Sequence, residues 1–335
     1  MSTQHILSVM VVALNEAKHL PGLKTALDKL RLPAGWSLET ILVDGGSRDG
    51  SVEVARHVGF DECLVVPDAS IPVCRNHALR AARGSALAFL DGDCMPEHDW
   101  LEQAAPWLLK PGPVLVGYPV QPPAAGNWIQ RTWHAYWRHK NPAVQHGASE
   151  PVTLEAFRLI TTRNMLFNRA LLEAVSAFDE TLSTGEDTDF AFRAAQAGCL
   201  DAAVPALRVT HLGEPSTLAQ YYRQQLWHAN RRAYGTVLRS SGGKSGANAI
   251  YFSIAFLAGL LLALLGLVLA ALGRPWALLL LAPLAAVTFV PALIIADRAN
   301  SPVLFVRLGV LYFLYGLARS IDLIGLAPRK KSWKS

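Results

Sequence analysis

Apolar positions in the first two thirds of the chain fall into short, nearly unbroken runs separated by polar stretches with helical spacing. The runs at 6–14, 40–43, 63–66 and 86–90 are too short for helices and do not alternate, so they read as strands buried on both faces. Helical stretches at about 16–32, 51–58 and 73–83 lie between them, the last closed by Gly84. Strand and helix alternate, which predicts βαβ units and a mostly parallel sheet. Beyond them come a helix at 99–109, a strand at 114–120 and the stretch Thr162-Arg163-Asn164-Met165-Leu166-Phe167 running into a helix to about 177. A helix leading through Arg193 to Gly198, a strand at 207–211 and a basic, aromatic helix at 221–234 complete this part.

After residue 248 the pattern changes. Residues 249–272 carry no charge and exceed the about 20 apolar residues that a membrane span needs. A second such run covers 275–296, separated only by Gly273-Arg274, so the two form a helical hairpin. Residues 303–327 are mixed: Arg307, Arg319 and Asp322 fall with Tyr312 and Tyr315 on one helical arc. This segment reads as an interfacial helix or a third span. The basic end Arg329-Lys330-Lys331 prefers the cytoplasm, and two spans plus an interfacial helix put both ends of the chain there.

The chain has 335 residues, is 51% hydrophobic and has a mean hydropathy of +0.24, with the apolar excess concentrated after residue 248. A length of this size suits a catalytic domain at 1–240 followed by the membrane segments. The net charge is +5, with basic residues grouped at Arg131, Arg138, Lys140, Arg223, Arg231, Arg232, Arg239 and Lys244. Phosphorylated ligands or an anionic membrane surface account for this better than nucleic acid. Cys63, Cys74, Cys94 and Cys199 have no C-x-x-C spacing, which argues for reduced thiols in the cytosol rather than a zinc site or disulfides. Cys94 reads as a packing residue. The N-terminus lacks the basic start and cleavage site of a signal peptide. Residues 121–152, with Trp128, Trp133 and Trp137 among Arg131, Arg138 and Lys140, form an insertion. It reads as an exposed excursion held down by its aromatics or as an amphipathic segment at a membrane interface.

The chemistry centres on the strand at 86–90, which ends in Asp91-Gly92-Asp93. Residues i and i+2 of an extended chain point to one side, so both carboxylates converge beyond the strand end, and Gly92 lets a ligand approach the backbone. Ligands of open α/β sheets bind at that edge. Carboxylate oxygens near a diphosphate suit Mg²⁺ or Mn²⁺. Two other acidic turns stand after apolar runs or loops, at Asp44 and at Glu186-Asp187. Sugar transfer from a nucleotide donor needs a base and ribose pocket, a cation for the leaving diphosphate and a general base for the acceptor hydroxyl. The three turns match those needs one for one. Neither G-x-G-x-x-G nor G-x-x-x-x-G-K is present, so dinucleotide and P-loop chemistry are not indicated.

Five motifs occur in order: Val-Val-Ala-Leu-Asn-Glu at 11–16, Val-Asp-Gly-Gly-Ser-Arg-Asp-Gly-Ser at 43–51, Arg-Asn-His-Ala-Leu-Arg-Ala-Ala-Arg-Gly at 75–84, Phe-Leu-Asp-Gly-Asp at 89–93 and Gly-Glu-Asp-Thr-Asp-Phe at 185–190. In this order the chain resembles the inverting family-2 glycosyltransferases of the GT-A fold, of the membrane-anchored type that builds bacterial polysaccharides and lipid-linked glycans. The resemblance covers residues 6–235. It implies Asn15 and Glu16 at the nucleotide pocket, Asp44 at the base or ribose and Arg75 near the donor. It implies Asp91 and Asp93 as the metal-diphosphate motif, with Asp93 the direct ligand and His211 a further metal or phosphate contact. Asp187 would be the catalytic base and Glu186 would help set the acceptor site.

Two departures refine this. Asp44-Gly45-Gly46-Ser47 stands where the family has Asp-Asp-Gly-Ser, and Gln224-Gln225-Leu226-Trp227 lacks the arginine of the processive synthases' Gln-x-x-Arg-Trp. Transfer of single sugars is therefore expected, from a nucleotide sugar to a membrane-associated acceptor such as a lipid-linked saccharide or polyprenyl phosphate. The enzyme would sit in the plasma (inner) membrane as a multi-pass protein with its catalytic domain in the cytoplasm. The alternatives are a sugar nucleotidyltransferase, which would need a basic Gly-rich loop that Leu14-Asn15-Glu16-Ala17 does not supply, and a non-catalytic membrane subunit that keeps the fold.

Overall fold

A computed structural model describes residues 4–140, 156–182, 185–229 and 244–326. The remainder of the 121–152 insertion, the end of the 221–234 helix with Arg231 and Arg232, Arg239, and the Arg329-Lys330-Lys331 tail lie outside the described residues. Contacts divide the chain into two compact units. One draws on Met1–Pro123 and Gly147–Gly213, the other on Ala124–His146 and Glu214–Lys330.

The first unit is a seven-stranded sheet with strand order β3-β2-β1-β4-β7-β6-β8. Its left half is parallel: β1 (His5–Ala13), β2 (Trp36–Asp44), β3 (Glu62–Val65) and β4 (Ala86–Asp91). β6 (Val114–Gly117) and β8 (Leu200–Ala203) run parallel to each other, and β7 (Met165–Asn168) lies antiparallel between β4 and β6. The unbroken apolar runs have a simple cause. Leu7, Val9, Val11 and Ala13 of β1 pack on one side with Leu20, Leu23 and Trp100, while Met10 and Val12 pack on the other with Ile41, Phe89 and Phe167. Both faces are covered by helices: α1 (Leu20–Asp28), α2 (Ser51–Val58), α3 (Ile71–Ala81), α4 (Trp100–Leu108), α6 (Arg169–Ala174) and α7 (Glu186–Gln196).

Several elements are shorter than the sequence pattern predicts. α1 begins at Leu20 rather than near residue 16, because Asn15 adopts a left-handed backbone (φ 60°) and Pro21 occupies the first turn. β6 stops at Gly117, where a side chain would run into the Asn164 carbonyl. The strand near 207–211 is only Val209–His211 (β9), and it pairs with Cys94–Pro96 (β5) in a separate two-stranded sheet. β5 is too short to leave a sequence pattern, and β8, Leu-Asp-Ala-Ala, lacks the β-branched run that marks a strand.

The second unit is helical: α5 (Trp128–Lys140), α8 (Leu218–His228), α9 (Lys244–Ala271), α10 (Ala282–Arg298) and α11 (Pro302–Leu323). The stretch 275–281 ahead of α10 is a 3₁₀ helix. Pro283 has no N–H to give the Leu279 carbonyl, which favours that tighter winding. Three helical stretches, Ile250–Ala271, Pro275–Arg298 and Pro302–Leu323, are long and apolar enough to cross a membrane. Within the insertion, α5 packs its aromatics inside this unit: Trp133 meets Tyr221 of α8 edge-on at 5.3 Å, and Tyr136 meets Tyr312 of α11 at 5.8 Å.

Candidate active site

Strands β1, β2 and β4 end side by side, with Ala13 opposite Asp44 and Val12 opposite Asp91. The loops that follow them therefore share the carboxyl edge of the sheet. Two of these loops are laced together. The Asn15 amide donates to Ser47 Oγ at 2.7 Å, and Asn15 Oδ1 accepts from the Arg48 amide at 3.0 Å. The Glu16 amide reaches Ser51 Oγ at 2.8 Å, and the Ala17 amide reaches Asp49 Oδ2 at 3.0 Å. Asp44 is fully buried. Its Oδ1 accepts from the Gly46 and Ser47 amides at 2.8 and 2.7 Å, and its Oδ2 accepts from the Ser47 hydroxyl. In this structure Asp44 closes its own loop and, through Ser47, braces Asn15.

Asp91 ends β4 and Asp93 precedes β5. Pairing of β5 with β9 sets Cys94 opposite His211, and His211 Nε2 lies 3.2 Å from Asp93 Oδ2. The surroundings leave no slack. A Cβ on Gly213 would overlap the Asp93 carboxylate, and one on Gly92 would come within 3.0 Å of Glu16 Cγ. Glu16 is thus held beside the two aspartates, and its carboxylate is 2.8 Å from His19 Nδ1. Burial raises the Glu16 carboxyl, and the charges of Asp93 and Asp91 add to that against the pull of His19. Burial likewise raises Asp91, with Asp93 adding and Arg75 opposing. Asp93 differs: burial would raise it, but the contact with His211 outweighs this and holds it low.

Donor atoms of Asp93, Cys94 and His211 lie within 4.8 Å of one another. A carboxylate, an imidazole and a second carboxylate two residues earlier fit Mg²⁺ or Mn²⁺. The Cys94 thiol does not fit. It is wholly buried in the apolar core, where burial followed by the two aspartates raises it well above its ordinary value, and a soft sulfur donor suits neither ion.

Arg75 on α3 pairs with Glu186, the first residue of α7, and both side chains are nearly inaccessible. The guanidinium also lies 5.6 Å over the Phe178 ring. Its neighbour Asn76 exchanges hydrogen bonds with the Phe178 backbone, donating to the carbonyl at 2.9 Å and accepting from the amide at 3.0 Å. Together they clamp the segment that leads into α7. Burial raises the Glu186 carboxyl against the opposing charge of Arg75, with Asp187 adding to the rise. Asp187 is more open, and its Oδ1 accepts from the Thr188 amide at 2.7 Å.

The structure thus brings Glu16, Asp91, Asp93 and His211 into one group and ties Arg75 to Glu186, with Asp91 and Asp187 close enough for their charges to act on Arg75. Sequence reasoning did not single out His19, Gly213 or Arg163, whose charge acts on Asp91. Arg163 sits just ahead of an apolar stretch, and no local pattern marks it.

Parallel strands converging on an acidic pair, with β7 inserted antiparallel, define a GT-A architecture. The sequence model described as Glycosyl transferase family 2 matches residues 8–175, half of the chain, and the chain belongs to that family. It is 29% identical over 204 residues to glycosyltransferase AglE of Haloferax volcanii, covering 59% of this chain and 64% of that one. It is 26% identical over 234 residues to the pre-mycofactocin glycosyltransferase of Mycobacterium tuberculosis, covering 68% of this chain and 46% of that one. The chain therefore spans less than two thirds of either relative. Among solved structures, the mannosyltransferase PcManGT from Pyrobaculum calidifontis, determined with GDP-Man and Mn²⁺, superposes with a TM-score of 0.58 at 19% identity. That likeness covers 96% of this chain and 88% of the other, and it concerns the fold.

Proposed function

We propose that this protein is a metal-dependent, inverting glycosyltransferase that moves a single sugar from a nucleotide donor to an acceptor held at a membrane. The observation that carries this reading is the contact of His211 with Asp93, two residues from Asp91, on the sheet edge whose β1 and β2 loops are already fixed by Asn15 and Asp44. Asn15, Glu16 and Asp44 shape the nucleotide side, and Asp44 does so by holding its loop. Asp93 and His211, with Asp91, would hold Mg²⁺ or Mn²⁺. A cation there supplies positive charge against the diphosphate that leaves. The Mn²⁺ and GDP-Man in PcManGT support this cofactor and donor class.

Asp187 is the base. With a saccharide acceptor it takes the proton of the hydroxyl as that oxygen bonds to the anomeric carbon, whereas a phosphate acceptor attacks through an oxygen already ionised; in either case the bond from that carbon to the diphosphate breaks with its electrons on the diphosphate oxygen. In-line attack inverts the carbon. Glu186, fixed by Arg75, sets the acceptor side. Because the catalytic unit and the apolar helices are one chain, a lipid-linked saccharide or polyprenyl phosphate is the acceptor class that fits, with the catalytic unit in the cytoplasm at the inner membrane.

The test is a screen of nucleotide sugars for binding and slow hydrolysis by the purified chain with Mn²⁺ or Mg²⁺, beside Asp91→Ala and Asp187→Asn. One donor should bind with metal. Asp91→Ala should abolish this, and Asp187→Asn should keep binding and lose turnover. Failure of every nucleotide sugar to bind with either metal overturns the reading.

A further inference from the structure

Among the described residues Asp187 hydrogen-bonds only within its own turn, its Oδ1 accepting from the Thr188 amide at 2.7 Å and from the Thr188 hydroxyl at 3.4 Å. No neighbouring element grips the carboxylate through a hydrogen bond, so its place against an acceptor follows from the setting of α7. A misplacement of about 1 Å at a reacting group can cost about 100-fold in rate. Whatever sets α7 is therefore part of the site.

Apolar packing joins α7 to the sheet. Phe190 stacks on Phe178 with ring centroids 4.6 Å apart and meets Phe167 of β7 at 5.5 Å, while Phe178 meets Phe89 of β4 edge-on at 5.4 Å. Such burial holds the helix against the sheet but is non-directional, so it leaves rotation and axial setting loosely defined. Hydrogen bonds are directional, and α7 has them at two levels. The first is Glu186 with Arg75 of α3. The second is Arg193, two turns later on the same face and roughly 10 Å along the axis.

Each nitrogen of the Arg193 guanidinium is engaged. Nη1 donates to the Ser176 carbonyl at 2.7 Å, Nη2 to the Ala177 carbonyl at 2.9 Å and Nε to Asp189 Oδ2 at 2.8 Å. Asp189, one turn back on α7, thus aims the fork, and the fork grips the segment that follows α6. The same segment is tied to α3, where Asn76 holds the Phe178 backbone and donates to Glu180 Oε1 at 2.8 Å. These ties close a triangle of α3, the 176–180 segment and α7, with Arg75–Glu186 as its third side. Without Arg193 one polar anchor remains, about which α7 can turn with Asp187.

The Arg193 side chain is 29% exposed, so its ion pair with Asp189 adds little to stability. A set of directional bonds that stabilises little serves placement. We propose that Arg193, aimed by Asp189, is a positioning residue for Asp187: it fixes the rotation of α7 and through it the distance from the base to the acceptor oxygen. This rests on the reading of Asp187 as the base. A lysine at 193 keeps the charge but not the planar fork that reaches two carbonyls and a carboxylate at once.

A double-mutant cycle in the full chain tests this, with nucleotide release from UDP-GlcNAc and GDP-mannose in Mn²⁺ as the measure of turnover and titration of the same compounds as the measure of binding. Arg193→Lys should lower kcat about 10–100-fold while the donor dissociation constant and melting temperature stay nearly unchanged, and Asp189→Asn should lower kcat less. In Asp187→Asn, where there is no base to place, Arg193→Lys should have no further effect on kcat. An equal loss in both backgrounds, a parallel loss of donor binding, or full turnover of Arg193→Lys overturns the inference and leaves the base assignment standing. Full turnover of Asp187→Asn removes the base and the inference with it. Hydrogen exchange needs no donor: the Asp189 amide, bonded to the Gly185 carbonyl at 3.0 Å, and the amides after it in α7 should exchange faster in Arg193→Lys while β1 and β4 keep their protection. Unchanged exchange along α7 also overturns the inference.

Discussion

Arg75 and Glu186, 111 residues apart, form a buried ion pair that joins α3 to the start of α7. Removing one partner strands a charge in the interior, which costs about 3–5 kcal/mol. Arg75→Ala should therefore lower thermal stability sharply. Arg75→Met combined with Glu186→Leu should recover much of the stability, since an apolar pair of similar volume leaves no unpaired charge. If the pair positions Asp187, the double variant should stay impaired in turnover while donor binding holds. Thermal unfolding and donor titration on the same samples separate the two effects, and full turnover in the double variant would remove the positioning role.

At the proposed cation site a single methyl group on Gly213 would meet the donors directly. Its Cβ would overlap the Asp93 carboxylate and come 3.3 Å from His211 Nε2. Gly213→Ala should weaken Mn²⁺ binding by about 10–100-fold, the range seen when groups supporting metal ligands are lost. A Mn²⁺ titration followed by electron paramagnetic resonance reads this directly. Chelation should abolish donor binding in the unsubstituted chain, and Mn²⁺ should restore it. Unchanged Mn²⁺ affinity in both Gly213→Ala and His211→Ala would exclude this donor set.

Asp187→Asn keeps the size of the side chain and removes its basicity. General-base catalysis contributes about 10²–10⁴-fold, so kcat should fall within that range while the donor dissociation constant is preserved. A parallel loss of donor affinity would mean that Asp187 belongs to the donor side instead.

A pH effect should come from the opposite end of the sheet. Glu39 is buried on β2. Burial would raise its carboxyl, but the Ser8 hydroxyl and the amide and guanidinium of Arg83 outweigh this and hold it below its ordinary value of 4.5. A carboxyl lowered on folding contributes stability above its unfolded value, and that contribution is lost as the pH falls through the folded value. Glu39→Gln should thus destabilise the protein at neutral pH and approach the parent in acid well below 4.5. Urea midpoints across that window check the sign, and a gap that widens in acid would contradict it.

What the sequence determines here is local. A strand covered on both faces must be apolar throughout, so β1, β2 and β4 are legible from their side chains alone. The hairpin of 249–272 and 275–296 is legible because a hydrocarbon layer tolerates no charge. Asp91 and Asp93 share a side because a strand repeats every two residues. The order of five motifs carries the family, and the family model matches within 8–175. Tertiary structure decided what depends on distant partners. His211 reaches Asp93 because two three-residue strands pair, too short to show a period. Arg75 turns to Glu186 because α3 and the start of α7 meet across the carboxyl edge. Asp44 is drawn into its own loop by amides and a hydroxyl that only the folded turn presents. The length and apolarity of α11 permit a span or an interfacial helix alike, and its contacts with Phe252, Phe256 and Phe289 are legible only in the fold, because composition sets how much surface a helix must cover and packing sets what covers it.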